Sequence, residues 1–339
     1  MKKLQNNLYV TRQGAYAHKE RETIVIEVER EKALQVPAHS IVGIYCFGNV
    51  MVSPFLMGFC GESGINLAFF TEYGRFLGRL QGKQTGNVLL RRTQYRISEN
   101  APLNIAKALI AAKINSSRNV LLRHLRNHGE DDFVAEAVIK LANSLRVLEK
   151  ARSLEHIRGI EGDSAANYFE VFNNLILEGY RSEFNFSGRN RRPPTDFVNA
   201  LMSFLYSVVG NDISAALQGV GLDPQVGFLH VDRSGRDSLA LDILEEFRAW
   251  LIDRLVLTLI NRKQIRASDF EKEISGAVKM KDDARRTVLM ALQARKQEEV
   301  IHPYIGEKVQ IGLLPHIQAL LLSRHLRGDL EYYPAFVAR

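Results

Sequence analysis

Cysteine is scarce in this chain of 339 residues: only Cys46 and Cys60 occur, and they form no CxxC pair. That excludes a disulfide framework and a thiolate zinc site, and a reducing compartment is expected. No apolar stretch of about 18 residues runs free of charge, so no membrane span is expected. The start, Met1 to Leu8, carries basic residues but no apolar segment behind them, so no secretory leader is expected either. A cytoplasmic protein is the resulting expectation. The chain also lacks a GKS or GKT phosphate loop, and Gly219-Val220-Gly221 has no third glycine at dinucleotide spacing, so ATP use is not expected. Internal repeats and low-complexity tracts are absent.

What is present is a basic excess. Lys and Arg number 45 against 38 Asp and Glu, a net charge of +7 that favours a polyanionic partner where the excess is clustered. The length allows two domains, because single cores rarely grow beyond about 250–300 residues. The texture changes near residue 85. Before it, short runs rich in β-branched and aromatic residues (Leu8–Val10, Thr23–Val28, Ile41–Phe47, Asn49–Val52, Asn66–Phe70, Phe76–Leu80) are punctuated by Gly43, Gly48, Gly61 and Gly64. After it, helical patterns dominate. Apolar residues recur along Asn104–Asn127, and from Asp131 to Arg158 in a stripe that ends at Gly159. Thr195 or Asp196 is placed to cap a helix, and more helices are expected over Leu239–Asn261, Ser268–Val278, Lys281–Glu298 and Val309–Arg324. The expected fold class is α+β: a small N-terminal β domain, residues 1–84 and all-β in texture, then a larger all-α catalytic domain, residues 85–339.

Three segments supply hard ligands. In Arg158-Gly159-Ile160-Glu161-Gly162 a carboxylate lies between two glycines, where one helix is expected to stop and the next to start. In Gly227-Phe228-Leu229-His230-Val231-Asp232 a histidine follows a short apolar run. In Asp242-Ile243-Leu244-Glu245 two carboxylates three residues apart are neighbours on a helix surface, a repulsive pair unless a cation lies beside them. Each segment also has a bland reading: a solvated glutamate, a hydrogen-bonding histidine, and acids favoured by a helix's first turn. Together they offer carboxylates and an imidazole without a thiolate, which suits Mg²⁺ or Mn²⁺. The pair His124 and His128 has zinc-helix spacing but lacks the glutamate of HExxH, and reads as helix C-terminal capping.

Four ordered elements then resemble one family. Arg158 to Tyr168 matches R-G-x-E-G-x-x-A-x-x-Y, and Asn190 to Pro194 with Asn199 to Tyr206 matches N-R-R-P-P…N-A-L-x-S-F-x-Y. Pro224 to His230 matches P-x-x-G-F-L-H, and Asp242 to Arg248 matches D-[ILM]-x-E-[EP]-F-R. These are the elements of the CRISPR-associated adaptation integrases, the large catalytic Cas subunit (Cas-one), and the lineage resembled is the subtype I-C branch. The resemblance implies a metal-dependent DNA endonuclease and integrase that joins 3′-hydroxyl ends of short fragments into a repeat array. It implies that Glu161, His230 and Glu245 bind Mg²⁺ or Mn²⁺, with Asp242 a supporting or phosphate-side carboxylate for which direct ligation stays open. It also implies a homodimer with dimer contacts from the β domain, DNA as partner, and a small adaptation subunit (Cas-two).

This chain carries Glu245 where many members have aspartate, and Ala249 where proline often follows. Arg189, Arg191, Arg192 and Tyr206 are the expected DNA contacts, alongside Phe184 and Phe186, which suit either base stacking or the core. A branched-DNA endonuclease and a non-catalytic DNA-binding scaffold are the rival readings.

Overall fold

The computed structural model describes residues 6–80, 82, 88–100, 102–190 and 193–338. By packing, the chain divides into two units: residues 1–85 with 282–298 and 310–313, and residues 86–281 with 299–309 and 314–339. The α+β class with the β unit first matches what is seen.

The first unit begins with β1 (Asn6–Val10), β2 (Tyr16–Glu20), β3 (Thr23–Val28), β4 (Glu31–Pro37), β5 (Ile41–Phe47) and β6 (Met51–Val52). Helix α1 (Pro54–Ser63), β7 (Asn66–Phe70) and β8 (Phe76–Arg79) follow. Two four-stranded sheets form, in the orders β1-β5-β7-β8 and β4-β3-β2-β6. Strand β5 runs parallel to both β1 and β7 and is almost wholly buried, so it reads as an unbroken apolar run. A parallel pair needs a crossover, and α1 lies in the connection from β5 to β7. Its ends are signalled locally: Ser53 accepts a hydrogen bond from the Leu56 amide at 3.1 Å, Pro54 opens the helix, and Gly64 closes it at φ 69°. The all-β texture expected of this region is therefore corrected. Strands β2 and β4 were also unforeseen, because their turns use Arg21, Glu29 and Arg30 at φ 51°, 55° and 70° with no glycine or asparagine to announce them.

The second unit is mainly helical. It contains α2 (Val88–Asn100), α3 (Leu103–His128), α4 (Asp132–Glu149), α5 (Leu154–Glu170), the short α6 (Glu178–Arg181) and α7 (Phe197–Gly219). Then come α8 (Ser238–Leu244), a π-helical segment (Arg248–Asp253) and α9 (Arg254–Asn261). The stripe expected to run from Asp131 to Arg158 is two helices, broken at Lys150–Ser153, where Ser153 accepts from the His156 amide at 3.2 Å. Helix α7 is capped by Asp196, which accepts from Asn199 N at 2.8 Å. It is long and apolar enough to cross a membrane, but 61% of its most apolar window is buried inside the fold, the state of a core helix.

The helix expected over Ser268–Val278 is instead a hairpin of β9 (Phe270–Lys272) and β10 (Val278–Met280). Gly276 at φ 81° lies in the connection, and the Phe270 ring stacks on Phe197 at 4.6 Å. Helix α10 (Asp282–Gln297) packs with the first unit, burying Ala284, Val288, Leu289 and Leu292 and laying Arg285 over the Tyr73 ring at 5.6 Å. Short strands β11 (Glu299–Ile301) and β12 (Lys308–Gln310) precede α11 (Leu314–Leu326).

The C-terminal segment is tied into the second unit by buried polar groups. Glu246 accepts from the Tyr333 hydroxyl, from Gln318 Nε2 at 2.7 Å and from the Phe336 amide at 2.6 Å. Gln318 Oε1 in turn pairs with His302 Nε2 at 2.9 Å, while the Phe336 ring packs on Phe247 and Trp250. Burial pushes the Glu246 carboxyl up to about 7 from the ordinary 4.5, against the three donors that favour its ionised form. A carboxyl raised in the folded state binds its proton more tightly than the unfolded chain does, so its contribution to stability is full below about 4.5 and is lost as pH rises through about 7. Glu246→Gln removes that loss. Thermal melting from about pH 5 to about pH 8 should show the variant gaining on wild type as pH rises. A pH-independent difference would show that the carboxyl stays ionised throughout.

Candidate active site

Glu161 does not sit in a turn. Helix α5 runs straight through Gly159-Ile160-Glu161-Gly162, which corrects the expectation of a helix break there. Interior glycine costs a helix roughly 0.5–1 kcal/mol each relative to alanine. A Cβ at either position would meet nothing within 4 Å, so packing does not demand these glycines. They leave the helix surface beside Glu161 bare.

Glu161 meets Glu245 at a third residue. The Lys113 ammonium, reaching from α3, lies 2.7 Å from Glu161 Oε1 and 2.8 Å from Glu245 Oε2. Arg248 Nε holds the other Glu245 oxygen at 3.0 Å. Glu245 is 2% exposed. Burial alone would raise its carboxyl, but Arg248, Lys113 and His230 outweigh that and hold it below the usual carboxylate range. Burial likewise works against the Lys113 ammonium, and Glu245 and Glu161 outweigh it and raise its affinity for the proton. Both oxygens of Glu245 thus face cations. Its buried Oε2 has the ammonium beside it but no well-directed hydrogen bond.

His230 is held from behind. Asp242, fully buried, accepts from Phe228 N at 2.6 Å and Leu229 N at 3.0 Å on one oxygen. On the other it meets His230 N at 3.0 Å and His230 Nδ1 at 2.6 Å. With Nδ1 on Asp242, Nε2 is the ring nitrogen left for a ligand, the arrangement usual in metal-binding histidines. Asp242 therefore orients the histidine, and each of its two oxygens meets two donor groups of the His230 loop.

Gly227 makes the close approach possible: a Cβ there would lie 2.9 Å from Asp242 Oδ2 and 3.0 Å from the His230 carbonyl oxygen. Arg158 donates from Nε and Nη2 to the Leu229 carbonyl at 2.9 and 2.6 Å, linking the loop to α5. From α2, Gln94 Nε2 donates to Asp223 O and Val226 O at 2.7 and 2.9 Å, and Ser98 to Gly227 O.

The expected DNA contacts fare differently. Phe184 and Phe186 are 2% and 4% exposed and pack on core rings, Phe186 on Phe169 and Phe172 and Phe184 on Phe197 and Phe270, so base stacking by them is corrected to a core role. Tyr206 is also buried: its hydroxyl donates to Asp253 Oδ1 at 2.6 Å and is not presented to a phosphate. Its ring instead carries the Arg248 guanidinium at 4.5 Å and that of Arg189 at 5.2 Å. Tyr206 therefore supports the arginine that holds Glu245. Arg189 also donates to Asn199 Oδ1. Arg191 and Arg192 lie outside the described residues. The π-helical turn over Arg248–Asp253, a feature frequent at functional sites, begins at that same arginine.

Lys113, Arg248, Arg158 and the α2 brace had no assigned role in the sequence. Lys113 left one trace, a lone cation in Ala111-Ala112-Lys113-Ile114, which calls for a buried anion that spacing cannot name. Among the described residues, no three His, Cys, Asp or Glu side chains stand together closely enough to hold a metal as placed. Two carboxylates do converge on one cation, Lys113, and an imidazole with Nε2 unclaimed contributes to the field at Glu245. In charge and donor type that set fits a hard divalent ion, with the ammonium as its stand-in.

Residues 8–294 match the family described as CRISPR associated protein Cas1. The chain is 50% identical to CRISPR-associated endonuclease Cas1 1 of Chlorobaculum tepidum, over 100% of both chains. It is 49% identical to CRISPR-associated endonuclease Cas1 2 of Rhodospirillum rubrum, over 98% of each. Among solved structures, a Cas1 protein from Thermotoga maritima superposes with a TM-score of 0.81 at 24% identity, covering 96% of this chain and 97% of that one. A casposase bound to integration product superposes with a TM-score of 0.85 at 22% identity, covering 97% and 93%. At those identities the two structures speak for the fold.

Gly227→Ala should force the His230 loop off the Asp242 carboxylate. We expect a loss of about 1–3 kcal/mol in thermal or denaturant stability, the usual result of inserting a methyl group into a packed site. Unchanged stability would show that the loop is not held as tightly as its contacts require.

Proposed function

The chain belongs to the Cas1 family of CRISPR-associated proteins, and from that premise we propose that it cuts and joins DNA during spacer acquisition at a site built on Glu161, His230 and Glu245. One observation carries the site assignment: carboxylates from α5 and from the end of α8 converge within 2.7 and 2.8 Å of a single cation, with His230 fixed by Asp242. Glu161, Glu245 and His230 Nε2 are the groups that would hold Mg²⁺ or Mn²⁺. Such an ion, when bound, supplies charge neutralisation at phosphorus and activation of an attacking oxygen.

The reaction is a transesterification. The 3′-hydroxyl oxygen of an incoming fragment bonds to a phosphorus of the repeat, and the 3′-oxygen of the repeat strand departs with a proton. Around it, Asp242 fixes the histidine tautomer, Arg248 keeps Glu245 ionised, and Arg158 ties the histidine loop to the helix bearing Glu161. The bare surface at Gly159 and Gly162 leaves room for a phosphate backbone to approach Glu161. Arg189, Arg191 and Arg192 are proposed as phosphate contacts, and the basic balance of the chain supports a polyanionic substrate.

Similar folds support the wider reading. One belongs to a Cas6-RT-Cas1–Cas2 complex (TM-score 0.81) and another to a TtCas1-DNA complex (TM-score 0.56). By analogy the protein works as a homodimer through its N-terminal unit, with a small Cas2 subunit, in the cytosol, and belongs to the subtype I-C lineage.

Glu161→Ala and His230→Ala should each lower the joining of fragments to repeat DNA in Mn²⁺ by about a hundredfold or more, and chelation should abolish it. Fragments ending in a 3′-dideoxynucleotide should yield no joined product. Cleavage of branched DNA without any joining would replace integration with a repair endonuclease. Undiminished processing by both alanine variants would remove the site altogether.

A further inference from the structure

Lys113 occupies the point where the carboxylates of Glu161 and Glu245 meet. Its ammonium touches one oxygen of each, at 2.7 and 2.8 Å, from a stretch of α3 that otherwise buries Leu109, Ile110, Ala112 and Ile114. The two acids depend on it unequally. Glu245 has a second cation, Arg248, on its other oxygen at 3.0 Å. Glu161 makes its one ion pair among the described residues with Lys113.

Resting on the reading that Glu161 and Glu245 hold the metal, we infer that Lys113 is an exchangeable internal counter-ion, which assembles the two carboxylates in the metal-free protein and is displaced when a divalent ion binds. Charge favours the exchange. A divalent ion taking the same two oxygens would bring its charge close to the ammonium, and in a poorly solvated place that repulsion favours the ammonium's withdrawal. A lysine suits the task because its charge is a compact point on a flexible four-carbon stem, whereas a guanidinium would fork both carboxylates rigidly. Arg248 is the rigid partner, set on the Glu245 oxygen that Lys113 does not touch and stacked on Tyr206. One cation is thus built to stay and the other to leave.

Two consequences separate this from a merely structural ion pair. The ammonium competes with metal, so removing its charge should tighten metal binding. It also screens two acids from each other, so its removal should destabilise the metal-free protein and enlarge the stabilisation that metal gives.

The test uses the full-length protein without DNA, with Mn²⁺ as the probe, read by electron paramagnetic resonance titration and by melting temperature. Lys113→Met should bind Mn²⁺ at least about tenfold more tightly than wild type, about 1.4 kcal/mol. It should melt lower without metal and show a larger rise in Tm on adding Mn²⁺. Lys113→Gln, which keeps hydrogen-bond donors without the charge, covers the case in which the methionine variant fails to fold, and should also bind Mn²⁺ more tightly. A methionine variant that folds only in Mn²⁺ would support the exchange. Equal or weaker binding by both variants would overturn it, provided Glu161→Gln abolishes binding and so confirms the ligand. If Glu161→Gln binds as wild type does, the metal assignment falls, and the inference with it.

Discussion

The candidate site depends on one ion cluster: Lys113 set between Glu161 and Glu245, with Arg248 on the far oxygen of Glu245. Two ionised carboxylates, from α5 and the end of α8, repel each other in a poorly solvated place unless a cation lies between them. Stripping one partner from a buried pair typically costs about 3–5 kcal/mol. The rest of the site follows from that constraint. Tyr206 lies buried beneath the Arg248 guanidinium, and the buried Asp253 accepts its hydroxyl. Burial then pushes the Asp253 carboxyl up to about 6. The polar core beneath the site is a chain of such obligations.

A second device places the imidazole. Asp242 works like an anion held in a nest of amides: three successive backbone N–H groups, from Phe228 to His230, point at it, and the His230 ring closes the set. Because the same carboxylate orders the loop and orients the ring, loop position and histidine orientation are a single property. Gly227 is required where that carboxylate comes closest to the backbone, and Arg158 transmits the position of the loop to α5. The spacing between Glu161 and His230 in the folded protein is therefore set by hydrogen bonds neither residue makes with the other.

Adjacent residues of one short segment serve opposite ends of the structure. Glu245 faces the ion cluster, while Glu246 anchors Tyr333, Gln318 and the Phe336 amide. The C-terminal segment is thereby bound to the backbone that carries a proposed ligand. Disturbance of the tail would reach the site through one peptide bond.

Several things were legible in the sequence because they depend on local chemistry. These include the two-part α+β organisation, the apolar run of β5 and the Asp196 cap of α7, whereas Glu161, His230, Asp242 and Glu245 were grouped by family resemblance, since their spacing could not join them. The like-charged pair Asp242 and Glu245 is instead separated by partners the sequence did not name: amides and the His230 ring for Asp242, Lys113 and Arg248 for Glu245. Helix α1 was written in Ser53-Pro54 and Gly64 yet lost among the strands around it, and β2 and β4 had no turn signal because Arg21, Glu29 and Arg30 adopt positive φ without glycine. Only the tertiary structure could show that α5 runs unbroken through two glycines, that Phe184, Phe186 and Tyr206 turn inward, and that Asp242 holds backbone while Glu245 holds cations. The reason is physical: capping, periodicity and residue type act over a few residues. The partner of a buried charge is chosen by packing across the whole fold, and Lys113 stands 132 positions before Glu245.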